Sequence, residues 1–214
     1  MFLFLQDELY VESLHRVTVK KPEWNIDHGV TDISLSDLTI FSVARVINTN
    51  YSLKDSYLHS VSCGIMILLS RKAQDIKPLV CQRIISMFIQ LCKRYQRPQW
   101  SAATFDWLAI FLEFIYTLLE TPIQNPNILY ILLLEPHIFD GIKNDARLGS
   151  MVKEIRDLLA LYSEKILLEK LDTDIKVIDM IIKSSVLLKV KVILKLLSHY
   201  PELNLCYIKS LVCI

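Results

Sequence analysis

At 214 residues, with Lys plus Arg 24 against Asp plus Glu 23, the chain has a formal charge of +1, so no global field draws it to nucleic acid or to an acidic membrane. Four glycines and seven prolines, against average usage of about 7% and 5%, argue against turn-rich all-β architectures and favour long helices on short loops. A hydrophobic share of 52% and a mean hydropathy of +0.35 then require either a membrane or a large buried core.

Taken in chain order, the amino terminus MFLFLQDELYVE starts apolar but lacks a basic stretch. It meets Asp7 and Glu8 too early for a signal peptide. Phe2 stands where N-myristoylation needs glycine. Ser34 or Ser36 is placed to cap a helix running to about Asn48, and Asp55 to open the next towards Leu69. From Pro78 to Tyr95, Val80, Ile84, Met87, Phe88, Leu91 and Tyr95 form one apolar stripe at helical spacing. Arg83, Gln90, Lys93, Arg94 and Arg97 supply the opposite face. Pro78 suits the first helical position, where its missing N–H has no helical partner to lose.

Ser101 precedes a helix through ATFDWLAIFLEFIYTLLE that Pro122 stops. In QNPNILYILLLEPHIF the side chain of Asn125 is expected to cap the turn begun by Pro126. The apolar run Ile128–Leu134 covers only about 10 Å of helix, whereas a membrane span needs about 20 apolar residues. YLHSVSCGIMILLS and WLAIFLEFIYTLL are also too short, so the apolar excess is to be buried by protein. Pro136 resets the chain into a short helix turned at Gly141. A longer helix follows from about Arg147 to Leu171, Thr173 caps one through Ile182, and a last apolar segment covers Val186 to Leu197. The pattern predicts an all-α fold, an irregular armadillo- or HEAT-like α-solenoid of about nine helices with loops of about 2 to 8 residues, a helical bundle being the alternative.

Few residues carry chemistry. Cys63, Cys81, Cys92, Cys206 and Cys213 are scattered, with no C-x-x-C pair, and read as packed thiols in a reducing compartment. His59 and Cys63 lie one helical turn apart, but a zinc site wants three or four ligands. Asp106 and Glu113 share a helix face and read as solvated positions; no phosphate-binding glycine loop or nucleophile elbow is present. CKRYQRPQW mixes Lys93, Arg94 and Arg97 with Tyr95 and Trp100; cations in a last helical turn offset the helix dipole. Stacking surfaces beside charge also suit a nucleic-acid site, yet no period of base-reading side chains is visible, so nucleic acid is not expected. Trp24, Trp100 and Trp107 read as core, and the C-terminal LNLCYIKSLVCI is not a prenylation signal.

Two blocks look like something specific. DSYLHSVSCGIMILLSRKAQDIKPLVCQRIISMFIQLCKRYQR resembles a segment of the dymeclin family in which a D-x-Y-L-H helix leads to an A-Q-R-I-I-S-L-F helix with a basic end. NPNILYILLLEPHIFDGIKNDARLGSMVKEI is similar to the family's N-P-N-L-V-Y-A-L-L segment, in the same order and at a similar distance. DISLSDLTIFSVARVINTNYSLKDSYLHS resembles its E-I-S-L-G-S-L helix, and HYPELNL its K-F-P-E-L-K-F. The resemblance covers residues 1–205 as one helical-repeat region, leaves 206–214 as an unmatched tail, and corresponds to the carboxyl-terminal part of longer family members, so a fragment is expected.

The resemblance implies a non-enzymatic scaffold without cofactor, metal or small-molecule substrate. It further implies a cytoplasmic protein, peripherally associated with the Golgi apparatus through its full-length parent, that contacts Golgi and trafficking proteins in Golgi organisation and secretory traffic. Alternatives are a generic protein-binding helical repeat or a nucleic-acid-binding one. Grooves of a solenoid bind through a few anchors; Lys93, Arg94 and Arg97 at the basic end, with Asn125, Asn127 and Tyr130 in the NPN turn, are the candidate partner contacts.

Overall fold

The computed structural model describes residues 4–20, 31–53, 55–97, 102–120, 124–171 and 173–184. Helix α1, Glu8–Arg16, begins at Asp7, whose Oδ1 accepts from the Leu9 amide at 2.9 Å. Two residues each of β1 (Thr18–Val19) and β2 (Ile33–Ser34) pair antiparallel, Thr18 opposite Ser34 and Val19 opposite Ile33. A two-residue strand is too short to leave a periodic trace, so this pairing was not legible in the sequence.

Helix α2, Leu35–Leu53, starts at Ser34, whose hydroxyl accepts from the Asp37 amide at 3.0 Å. Of the two serines considered, Ser34 is thus the capping one, and Ser36 is fully buried, its Oγ 3.2 Å from Nε2 of His15. Asp55 accepts from the Leu58 amide at 3.0 Å and opens α3, Ser56–Ser70. Asn50 holds Asp55 in place, donating to its carbonyl and accepting from its amide. Helix α4, Pro78–Tyr95, and helix α5, Ala102–Leu119, follow. Helix α6, Pro126–Leu134, then leads through a single 3-10 turn, Pro136–Phe139, to α7, Gly149–Glu169.

Asp145 prepares the start of α7 by accepting from the amides of Arg147 and Leu148 at 2.8 and 3.1 Å. Lys170 ends it in the left-handed conformation, φ 49°, and its amide returns to the last-turn carbonyls. A further helix, α8, occupies 174–184, just past Thr173. The apolar segment 186–197, the tail 206–214 with Cys206 and Cys213, and Trp24 and Trp100 lie outside the described residues.

The chain is predominantly helical, and the helices meet in an ordered way. From α2 onward each helix packs on the helix two along, and most also pack on a sequence neighbour, α3 and α4 being the exception: α1 on α2, α2 on α3 and α4, α3 on α5, α4 on α5 and α6, and α7 on α5 and α6. One row therefore holds α2, α4 and α6, and another holds α3, α5 and α7. Between the rows Phe88, Phe111, Phe114, Phe139 and Tyr162 are completely covered. Each such side chain contributes about 1.5–3 kcal/mol by leaving water. The predicted stripe of α4 accounts for its placement: Val80, Ile84, Met87, Phe88 and Leu91 are buried and Tyr95 half-buried, while Arg83, Gln90, Lys93 and Arg97 are exposed.

The apolar run of α6 departs from expectation. Ile128, Leu129 and Leu132 are fully buried, but the helix is not covered all round: Leu134 is 61% exposed. Only one face meets α4 and α7; the other opens on a groove of about 380 Å³ between α6, α7 and α8 that includes Tyr130, Leu133, Ile166 and Val177. Among the described residues no helix is long and apolar enough to cross a membrane.

Candidate functional site

The loop joining α3 to α4, residues 71–77, gathers several long-range polar contacts among the described residues. Its backbone is gripped from α6. The Nδ2 group of Asn125 donates to the Ala73 carbonyl at 2.9 Å, and that of Asn127 to the Ile76 carbonyl at 3.0 Å. In return the Asp75 amide donates to the Gln124 carbonyl. Asp75 sits at φ 51°, a left-handed conformation uncommon for a residue with a side chain.

This corrects one expectation. Asn125 makes no side-chain cap on α6; it is 1% exposed and its amide is turned to a strand of backbone 52 residues away. The reason is local. Pro126 has no N–H to offer, and the amide of Ile128, one of the two that a capping side chain would bond, is already met by the Asn125 main-chain carbonyl at 3.3 Å. The side chain is left free for a tertiary role.

From the other side the loop is gripped by α2. Oδ2 of Asp37 accepts from the Lys77 amide, at the threshold of α4, at 3.0 Å. The carboxylate stands at a helix amino terminus, where negative charge is favoured, yet the residue is only 2% exposed. Burial therefore pushes its pKa up to about 6, opposed by bonds from Lys77 and Ser34 and reinforced by the nearby charge of Asp75. Sequence reasoning missed Asp37, because a first-turn aspartate is an ordinary feature of an exposed helix start.

The remaining predicted residues are placed apart. Lys93 and Arg97 are exposed and Arg94 half-buried at the end of α4, where Tyr95 bonds Asp145 through its hydroxyl. Nearby, the guanidinium of Arg147 lies 3.3 Å over the ring of Phe105. Tyr130 stands on α6, its hydroxyl bonded to the carboxylate of Asp174 at the start of α8. The structure thus brings Asn125 and Asn127 together on one loop and leaves the basic end and Tyr130 elsewhere.

His59 and Cys63 do meet, Nε2 to Sγ at 3.2 Å, with the imidazole stacked on Trp107 at 4.3 Å. Burial lowers the His59 pKa to about 4 and raises that of Cys63 to about 12, so both are neutral near pH 7 rather than an imidazolium–thiolate pair. Among the described residues no group of three or more His, Cys, Asp or Glu is arranged to hold a metal ion. Trp107 is buried as expected, and Asp106 and Glu113 are exposed. A wider polar cleft of about 730 Å³ borders the same loop, where Arg16, Arg71 and Lys72 are matched by Glu12, Asp75 and Glu120. That balance selects neither anion nor cation.

The comparisons agree on one family. The family model described as "Dymeclin: Dyggve-Melchior-Clausen syndrome protein" matches residues 2–208. The chain is 24% identical to Dymeclin of Rattus norvegicus, over 98% of this chain and 34% of that protein. It is 21% identical to Dymeclin of Drosophila melanogaster over 78% of this chain and 28% of that protein. It is 29% identical to Dymeclin of Dictyostelium discoideum over 44% of this chain and 10% of that protein. The chain therefore spans about a third of the length of the first of these relatives. No solved structure matches it.

Proposed function

The chain belongs to the dymeclin family, and from that premise we propose that it is a segment of a non-enzymatic helical scaffold acting in Golgi organisation and secretory traffic. The observation that carries this is the family match over residues 2–208, nearly the whole chain. We read the architecture as an irregular armadillo- or HEAT-like solenoid. In support, α2, α4 and α6 pack in one succession and α3, α5 and α7 in another, joined by α2 on α3, α4 on α5 and α6 on α7, an arrangement in which stacked helix pairs bury a continuous core.

The proposed contact with Golgi or trafficking proteins is the basic end of α4, with Lys93 and Arg97 exposed and Arg94 half-buried. The NPN turn has a supporting part: Asn125 and Asn127 fix the 71–77 loop, and Tyr130 ties α6 to α8, so these side chains set the shape of the partner surface. Peripheral association with the Golgi apparatus from the cytoplasm is assigned to the full-length parent.

The test is the distribution of the tagged full-length parent in cells, alongside affinity capture from cytosol with wild type and with Arg94→Glu plus Arg97→Glu. A parent shared between cytosol and Golgi, with trafficking proteins recovered by wild type and lost by the variant, is the expected result. An exclusively nuclear parent overturns the reading. Recovery of nucleic-acid machinery with steep salt dependence would favour the nucleic-acid alternative.

A further inference from the structure

We propose that Asp37 is a proton-operated latch on the 71–77 loop, holding that loop against α2 when its carboxyl is protonated and loosening it when the carboxyl is ionised. The geometry places the group where charge is hard to accommodate. Asp37 is 2% exposed; Oδ2 accepts from the Lys77 amide at 3.0 Å, whereas Oδ1 is buried and receives no hydrogen bond among the described residues. A buried ionised oxygen without a donor is costly. The cost is relieved either by a proton or by letting water in.

The surrounding groups reinforce this. From the loop, Asp75 and Lys77 face the carboxyl; Asp75 raises its proton affinity and the Lys77 charge lowers it. From α4, the thiol of Cys81 responds to both Asp37 and Asp75, so two carboxylates and a thiol share one helix start. From β2, Ser34 steadies the charge. From α1, His15 lies beside the preceding residue, Nε2 3.2 Å from Ser36 Oγ, and its own pKa is lowered by burial, so it supplies no compensating cation near neutrality.

The Lys77 amide bonds the loop to α2 through this same carboxyl, so admitting water to Oδ1 by moving the loop weakens that bond. The same loop is held to α6 by Asn125 and Asn127, and Lys72 reaches Glu8 of α1 at 3.4 Å. A change in proton occupancy at Asp37 therefore acts on the joint among α1, α2, α4 and α6.

The sign follows from the raised pKa. The stabilising effect of the proton is complete below about 4, fades as pH climbs through about 6, and is absent above it. The experiment uses the 214-residue chain, with carbon-13 carboxyl shifts of Asp37 and hydrogen exchange of the Lys77 amide from pH 4.5 to 8, corrected for intrinsic exchange. The expected result is a carboxyl midpoint near 6 and a loss of Lys77 protection of about tenfold or more between pH 5 and 7.5. In Asp37→Asn that dependence is absent, and in Asp75→Asn the carboxyl midpoint moves down. A wild-type midpoint near 4, or protection that does not change with pH, overturns the latch and needs no folded variant; so does an unchanged dependence in Asp37→Asn.

Discussion

The side chain of Asn125 reaches 2.9 Å to the carbonyl of Ala73, 52 residues earlier in the chain, and is buried to 1% exposure where it does so. Together with the Asn127 amide and the Asp75 N–H, that donor ties the entrance of α6 to the loop between α3 and α4. Asn125→Ala leaves the Ala73 carbonyl unmet, and the expected loss is about 1–3 kcal/mol, the cost of orphaning a buried acceptor. Asn127→Ala, at a half-buried site, should cost about 0.5–1.5 kcal/mol. Urea unfolding of the two variants checks the order; equal losses would contradict it.

His59 predicts an acid limit to stability. Its pKa is depressed to about 4 by burial against Trp107, with Asp106 pulling weakly the other way. A neutral buried imidazole contributes stability fully above pH 6.5, and that contribution is lost as pH falls through 4. The melting temperature of wild type should therefore fall relative to His59→Gln as pH drops from 6.5 to 4.5. Asp37 has the opposite slope, so the difference between proteins, not the wild-type profile alone, is the measurement.

Cys63 and Cys92 have thiols pushed up to about 12 by burial, and that of Cys81 is pushed up further by burial and two nearby carboxylates. The thiolate is the reactive form. At pH 8 all three should resist a maleimide in the folded protein and label once guanidinium unfolds it, as read by peptide mass mapping. Rapid labelling of any of them without unfolding would contradict this burial.

A methyl group at Gly141 would fall 1.6 Å from Nε2 of Gln96, an overlap that cannot persist. The obstructing atom is the tip of an exposed side chain rather than backbone. Gly141→Ala should therefore cost no more than about 1 kcal/mol, with Gln96→Ala restoring the loss, because rotating one exposed side chain is cheap. A loss above about 2 kcal/mol that Gln96→Ala fails to restore would mean the loop itself cannot accept a side chain.

Phe88 and Phe139 lie 5.7 Å apart between ring centres, both fully buried where α4 meets the 3-10 turn. Phe139→Ala should cost about 3–5 kcal/mol. Calorimetry of this variant beside Phe139→Leu, which keeps most of the volume, separates a packing loss from loss of the ring.

What was legible in the sequence was what is local. Pro78, Asp55 and Thr173 lie at helix starts because a cap or a first-turn proline acts within three or four residues, and the α4 stripe reports the direction of its own core. What was hidden depends on partners far along the chain. Nothing beside Asn125 signals that its amide is wanted by Ala73 rather than by its own helix, and nothing in SLSD separates Asp37, which grips Lys77 forty residues on, from a solvated first-turn acid. Tyr130 and the basic residues were visible as types, but how they sit relative to the NPN turn follows from packing alone.

The step-by-two adjacency of α2 to α7 bears on how such a chain reaches its native state. No main contact between these helices skips more than one intervening helix, so the loops to be closed are short and chain closure is entropically cheap at every stage. Each helix finds its docking surface already synthesised, and a growing polypeptide can consolidate behind the ribosome without waiting for its distal end.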